Sequence, residues 1–182
     1  MLSEAHRLHL LAVARQSIEH HLEGRPGAPL LMPTPMKDLP DASGVFVTIK
    51  MRGELRGCLG TLQMRGPLAE EVARCARESA TEDPRFPPMS SGELPESTIE
   101  LSVLGPLEEI DPQAEGTIIL GRHGLVAEQG GRRGLLLPQV AVEWGWTTEQ
   151  FLRQTCHKAG LPLDAWQHDA RILRFDAEVF GE

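Results

Sequence analysis

The chain has 182 residues, of which 41% are hydrophobic and 24% charged, a balance that suits one globular domain able to bury a real core. A net charge of −8, an absence of tyrosine and only 4% aromatic residues argue against a phosphate-tracking or base-stacking nucleic-acid surface. Three cysteines without a CxxC pair argue against a disulfide framework and a cysteine-based zinc site, and with no signal-peptide pattern or membrane-length apolar run the expected home is the cytoplasm.

Ser3 to about Glu23 reads as a helix with Ser3 as its N-cap. Leu8, Leu11, Ile18 and Leu22 mark its apolar face, and Arg15 falls in the middle of it. That guanidinium either snorkels to water, the favoured outcome, or takes a carboxylate partner. Five prolines and two glycines between Gly24 and Pro40 predict an extended arm or loop.

Val45 to Lys50 is a strand pattern, Arg52-Gly53 a hairpin turn, and Leu55 to Gly60 the return strand. Glycine weakens a strand interior unless a bulge, a bend or the close approach of another group requires it, and this strand carries Gly57 and Gly60. Simple alternation sets Leu55, Gly57 and Leu59 on one face and Arg56, Cys58 and Gly60 on the other. With the leucines inward, a guanidinium and a thiol share the outer face, and glycine leaves open space beside them.

Pro67 opens a helix. Its small-residue stripe, Leu68, Val72, Ala76 and Ala80, suits close packing on a sheet, with Cys75 beside it as a structural residue. Asp83-Pro84 ends it, because the residue before proline avoids helical angles. Ser97 to Leu104 alternates as a half-buried strand. Thr117 to Leu120 and Leu125 to Glu128 read as strands around Gly121-Arg122-His123-Gly124, and Gly130-Gly131 turns the chain into Arg133 to Leu137. Residues 138–146 have no clear period. Thr147 or Thr148 caps a helix running to about Ala159, stopped by Gly160 and Pro162, with Phe151, Leu152, Thr155, Cys156 and Ala159 facing inward. Arg171 to Phe180 alternates as a last strand. A leading helix, antiparallel strands and few βαβ units give an α+β fold, a mainly antiparallel sheet with flanking helices.

For chemistry, Cys58 beside Arg56 is the leading candidate, since a neighbouring cation favours the thiolate. The alternative is a small packing cysteine with a solvated arginine. A nucleophilic cysteine wants a base. His123, in a glycine-flanked connection, is the preferred partner, weighed against a turn histidine bonded to backbone. Glu143 sits among Val140, Ala141, Val142 and Trp144, an apolar setting that raises a carboxylate pKa, weighed against a pairing with Arg15 or Arg85. Arg85 could hold an anionic group, Gln139 could orient a ligand, and Gly57 and Gly60 could give backbone access. No dinucleotide, P-loop, metalloprotease or nucleophile-elbow motif is present, so no cofactor and no metal is expected.

Leu55-Arg56-Gly57-Cys58-Leu59-Gly60-Thr61 resembles the signature of the AMMECR-type domain family, called AmmeMemoRadiSam system protein A in prokaryotes, with Leu59 in place of the usual isoleucine. Glu82 to Pro88, Gly121 to Leu125, Gly134 to Val140, Glu143 to Trp146 and Thr155 to Leu161 resemble further blocks of that family in the expected order. The resemblance implies one domain over 1–182, with larger and smaller sub-domains, the chain ends together in the larger, and a cleft lined by the signature. It adds Thr61 to the candidate binding set, and it implies association with Memo-type and radical-SAM proteins. The resemblance implies no settled reaction, and the residues themselves leave two functions open. One is a thiol-dependent enzyme or enzyme component acting on a small or modified substrate through Cys58, with Arg56 stabilising and His123 as base. The other is a non-catalytic adaptor that meets a protein partner through Arg56 and Phe86.

Overall fold

Helix α1 (Glu4–Leu22) begins at a reciprocal cap: the Ser3 hydroxyl accepts the His6 N–H and His6 Nδ1 accepts the Ser3 N–H, each at 3.2 Å. This is a computed structural model describing residues 2–25, 28–29, 36 and 38–182. Most of the predicted 24–40 arm (26–27, 30–35 and 37) therefore lies outside the described residues. The chain divides into a larger unit, 1–104 with 178–182, and a smaller unit, 105–177. Its strands pair antiparallel in every register described, with helices packed on them, an α+β arrangement.

In the larger unit, α1 buries Leu10, Leu11, Val13, Ala14 and Ile18, while Leu8 is exposed. The buried face is rotated from the expected one because α1 carries apolar residues on more than one side, and its packing against α2 (Leu68–Thr81), not its period, chooses among them. Arg15 does not snorkel. Its guanidinium pairs with the Glu182 carboxylate and donates to the carbonyls of Leu94 (3.0 Å) and Ser97 (2.8 Å). That partner lies at the far end of the chain, out of reach of any local pattern.

Strands β1 (Gly44–Met51) and β2 (Glu54–Thr61) form the predicted hairpin, with Arg52 and Gly53 at φ 53° and 84°, the left-handed pair that a two-residue turn demands. Ile49 faces Gly57 but Lys50 faces Leu55, so Arg56 is the extra residue of a bulge. The bulge breaks the expected alternation. Leu55 joins the face of Lys50 and is exposed rather than packed with Gly57. On the other side of β1 lies β3 (Ser97–Leu104), burying Ile99, Leu101 and Val103, and the end of β7 (Arg171–Gly181) follows it. Helix α2 lies against the hairpin and buries the whole predicted stripe, Leu68, Val72, Ala76 and Ala80.

In the smaller unit, β5 (His123–Gln129) runs between β6 (Arg132–Leu136) and the first part of β7, and the short β4 (Glu108–Glu109) also pairs with β7. Residues 117–120 are not a strand. The Thr117 hydroxyl donates to Asp111 and Ala114 carbonyls, and the Ile119 carbonyl accepts the N–H groups of Arg122 and His123. These groups are satisfied in a local turn, leaving no ladder to join. Two helices complete the unit, α3 (Pro138–Glu143) and α4 (Thr148–Lys158). Thr147 and Gln150 form the capping box of α4, and all five predicted inner residues are buried.

Candidate functional site

The signature strand is held from three directions. Helix α2 lies directly on Gly57, where an added Cβ would stand 2.1 Å from the Ser79 carbonyl oxygen. The same serine's hydroxyl accepts the Leu59 N–H and donates to the Val47 carbonyl, both at 2.8 Å, tying α2 into the β1–β2 ladder. At Gly60 a Cβ would meet the Phe46 ring at 2.4 Å. The two glycines thus make room for a helix and a ring, correcting the expectation of open space beside the thiol.

The loop after α2 supplies the second hold. Strand β2 ends the strand order, so its outward backbone groups need partners or water. Asp83 Oδ2 accepts the Cys58 N–H at 2.8 Å, and the Arg85 guanidinium donates to the Cys58 carbonyl at 3.2 Å. The two side chains are themselves joined, Arg85 Nε to Asp83 Oδ1 at 2.9 Å and Nη2 to Oδ2 at 2.7 Å. One ion pair thereby stands in for a neighbouring strand at Cys58. Asp83 is buried, and the Arg85 guanidinium holds its carboxyl far below the usual carboxylate range, aided by the Cys58 N–H. Arg85 also lies over the Phe86 ring, 5.6 Å from its centroid.

Arg56 is the third hold. It pairs with Glu93 through Nε at 2.8 Å and Nη2 at 3.3 Å, and donates to the Pro87 carbonyl at 3.0 Å. Its side chain is only 13% exposed, so it is not a solvated guanidinium. Arg56 first, then the N–H of Ser90, pulls the Glu93 carboxyl down to about 2. Arg85, rather than the expected Arg56, is the cation that bonds a backbone group of Cys58.

Cys58 Sγ lies 3.2 Å from Thr48 Oγ1, its partner across the hairpin, and Thr48 faces Glu100 on β3, which pairs with Lys50 at 3.0 Å. Cys58 is the one cysteine of three that is not buried. Burial pushes the Cys75 thiol up to about 11 and raises that of Cys156, which fits structural roles. Thr61 accepts the Gln63 N–H and donates to its carbonyl, both at 3.0 Å, closing the turn after β2.

Cys58, Arg56, Gly57, Gly60, Thr61 and Arg85 thus fall together in the larger unit, whereas His123, Gln139 and Glu143 belong to the smaller. His123 is the first residue of β5 rather than part of the preceding turn, and it is buried. Its Nδ1 accepts the Ile119 N–H at 3.0 Å, and Nε2 lies 3.8 Å from Asp176. Burial, and then Arg174, lowers its pKa. This is the backbone-bonded histidine. Gln139 is half-buried in the first turn of α3. Glu143 ends that helix exposed, beside Val142 and Trp144 that are themselves 61% and 71% exposed, so the expected apolar enclosure is absent. Arg15 pairs with Glu182 and Arg85 with Asp83, each within the larger unit.

Sequence reasoning misses Thr48, Ser79, Asp83 and Glu93. Thr48 is missed because counting back from the turn pairs it with Gly57, and only the bulge at Arg56 brings it opposite Cys58. The others act across 20 to 37 residues of chain, and Asp83 reads locally as no more than the end of α2. Among the described residues no cluster of three or more His, Cys, Asp or Glu could hold a metal ion, and no helix is long and apolar enough to cross a membrane.

An antiparallel α+β protein whose signature hairpin is clasped by its own helix and loop defines the class. The chain belongs to the AMMECR1 family, whose model matches residues 11–180. It is 44% identical over 182 residues to a protein of Methanothermobacter thermautotrophicus, covering 95% of this chain and 92% of the relative. A Thermococcus gammatolerans protein is 46% identical over 184 residues, covering 95% and 88%. The crystal structure of the uncharacterized protein PH0010 from Pyrococcus horikoshii is similar with a TM-score of 0.79 and 41% identity, covering 95% of this chain and 89% of that one.

Proposed function

We propose that the chain is a cytoplasmic, non-catalytic adaptor whose signature face in the larger unit binds a protein partner. The observation that carries this reading is the state of the signature's own groups. Arg56, Arg85 and the N–H, C=O and thiol of Cys58 are each held by a partner within the same unit. Such groups form a rigid surface that loses little freedom when a partner docks. The thiol's partner there is the Thr48 hydroxyl. Arg85 over Phe86 is the exposed element, and Arg56 ties the same loop through the Pro87 carbonyl. The Memo-type and radical-SAM proteins that the family resemblance implies are the partners to try first. With each purified and titrated calorimetrically, Arg85→Ala should weaken binding about tenfold or more while Cys58→Ser leaves it within about twofold. Absence of binding to either protein removes the partner assignment.

A second reading, a thiol-dependent enzyme with Cys58 as nucleophile acting on a small or modified substrate, is favoured by the exposure that sets Cys58 apart from the two buried cysteines. Iodoacetamide at neutral pH separates the two. Labelling of Cys58 no faster than glutathione is the adaptor's outcome, and faster labelling moves the case to the enzyme.

A further inference from the structure

The smaller unit carries an apolar patch that the signature face does not explain. Val142 and Trp144 on α3 and its cap, and Ile119 in the preceding turn, are three of the largest exposed apolar side chains among the described residues. Val142 reaches the turn that carries Ile119, and Trp144 follows two residues on from Val142. A Cβ at Gly121, two residues from Ile119, would stand 3.1 Å from Val142 Cγ2, and Trp144 stacks on Trp146 with centroids 6.1 Å apart and planes at 18°.

The backbone fixes this presentation. Ala141 is fully buried, and the helix closes with Gly145 N–H on the Val142 carbonyl and Trp146 N–H on the Ala141 carbonyl, Gly145 having φ 61°. This double closure turns Trp146 inward over the core and leaves Trp144 pointing out on a rigid end. On the other side, His123 Nδ1 holds the Ile119 N–H and so fixes the turn that carries Ile119. A tryptophan held outward beside aliphatic side chains has the composition of a binding hot spot, not of an ordinary surface.

Charge selects the occupant. Glu143 lies within the patch, exposed, and no ion pair engages it among the described residues, whereas Arg122 at the rim is taken by Asp176 at 3.0 Å. The indole faces add their own attraction for cations. A second copy of the chain, at net charge −8, brings like charge. We propose that the Ile119–Val142–Trp144 patch docks a segment of a partner protein that carries a lysine or arginine beside aliphatic side chains. The chain then has two binding surfaces, one on each unit, and this one stands whether or not the signature face binds a partner.

The test uses the full chain and two short helical peptides with identical leucines, one with lysines and one with glutamates at the polar positions. Because Trp144 lies in the patch and stacks on Trp146, tryptophan emission reads occupancy. The lysine peptide should shift that emission saturably and the glutamate peptide should not. Trp144→Ala should weaken the lysine peptide about tenfold or more, read by calorimetry, and Glu143→Lys several-fold, with Arg52→Ala in the exposed hairpin turn of the larger unit leaving it unchanged. Equal binding of both peptides, or lysine-peptide binding indifferent to Trp144→Ala, overturns the proposal. So does self-association that Trp144→Ala abolishes, which would make a second copy the occupant, or binding to anionic lipid vesicles in place of the peptide.

Discussion

Helix α2 sits on Gly57 of β2 in the larger unit, and the end of α4 sits on Gly134 of β6 in the smaller. A Cβ would stand 2.1 Å from the Ser79 carbonyl oxygen in the first case and 2.4 Å from the Ala159 nitrogen in the second. Both strands return from a turn with two residues at positive φ, and both end the strand order. Beyond that shared start the two edges diverge. Strand β2 is finished by charged and hydroxyl groups from Ser79, Asp83, Arg85 and Glu93. Next to β6, the tie is Arg132 to the Gly160 carbonyl at 2.9 Å, and α4 is held down by Phe151, Leu152 and Cys156 in an apolar core. One unit uses carboxylates, Asp83 buried and Glu93 half-buried, to hold its edge, and the other relies on apolar packing. The polar plan gives a surface defined to the atom, and it leaves that surface sensitive to protonation.

The largest effects should come from the shared element. Gly57→Ala and Gly134→Ala each force a backbone apart and should each cost about 3 kcal/mol. The units can be read separately, because Trp144, Trp146 and Trp166 all lie in the smaller unit. Urea unfolding followed by tryptophan emission should show the Gly134→Ala loss, and amide exchange at Val47, Ile49 and Leu101 the Gly57→Ala loss. If either variant is silent, the two edges are not built alike.

The next effect sharpens the difference. Asp83→Ala strips a buried partner from the Cys58 N–H and leaves Arg85 unpaired, costing about 2–3 kcal/mol. Acid should do the same by degrees. Asp83 and Glu93 titrate lower in the folded chain than the ordinary 3.8 and 4.5 of unfolded carboxyls. Their stabilisation is complete above those values and is lost as pH falls through the folded ones, toward about 2 for Glu93. Unfolding midpoints by circular dichroism should fall between about pH 4.5 and 2.5, and the double variant Asp83→Asn, Glu93→Gln should flatten that fall. An equally steep fall in the double variant would place the acid-labile groups elsewhere.

How much of this is legible in sequence depends on the reach of each interaction. The β1–β2 hairpin, the α2 stripe, β3 and the capped α4 rest on periodicity, turn residues and caps within a few positions, and all four stand where the pattern places them. Leu55 lands on the face opposite to the expected one because one bulge residue, Arg56, inverts everything before it, and alternation has no way to register an inserted residue. Gly57 and Gly60 are anomalous on sight, but whether they admit a ligand, a helix or a ring depends on Ser79 and Phe46, which tertiary packing alone brings there. Glu143 reads as enclosed from its apolar neighbours in sequence. On a six-residue helix closed by Gly145, Val142 and Trp144 face out.

The smallest effect separates the units by pH. His123 is buried with Nδ1 accepting the Ile119 N–H, and burial and Arg174 lower its pKa from the ordinary 6.5. The unfolded chain therefore binds this proton at a higher pH than the folded one. Its contribution to stability is complete above 6.5 and declines as pH falls from there toward the folded value. The smaller unit should begin to weaken near neutrality, where the larger unit's carboxylates are still fully ionised. Tryptophan-detected unfolding midpoints should drop as pH falls below about 6.5, while exchange at Val47 and Ile49, corrected for its intrinsic pH dependence and read in a His9→Gln background because burial also lowers the His9 pKa, stays level. His123→Gln keeps an acceptor for the Ile119 N–H and has no proton to gain, so it should remove the slope. His123→Ala leaves that N–H unpaired and should lower stability at every pH, by about 1 kcal/mol. A slope that survives in His123→Gln would mean that another group senses this range, and the contrast between a polar, acid-labile larger unit and an apolar smaller one would lose its near-neutral half.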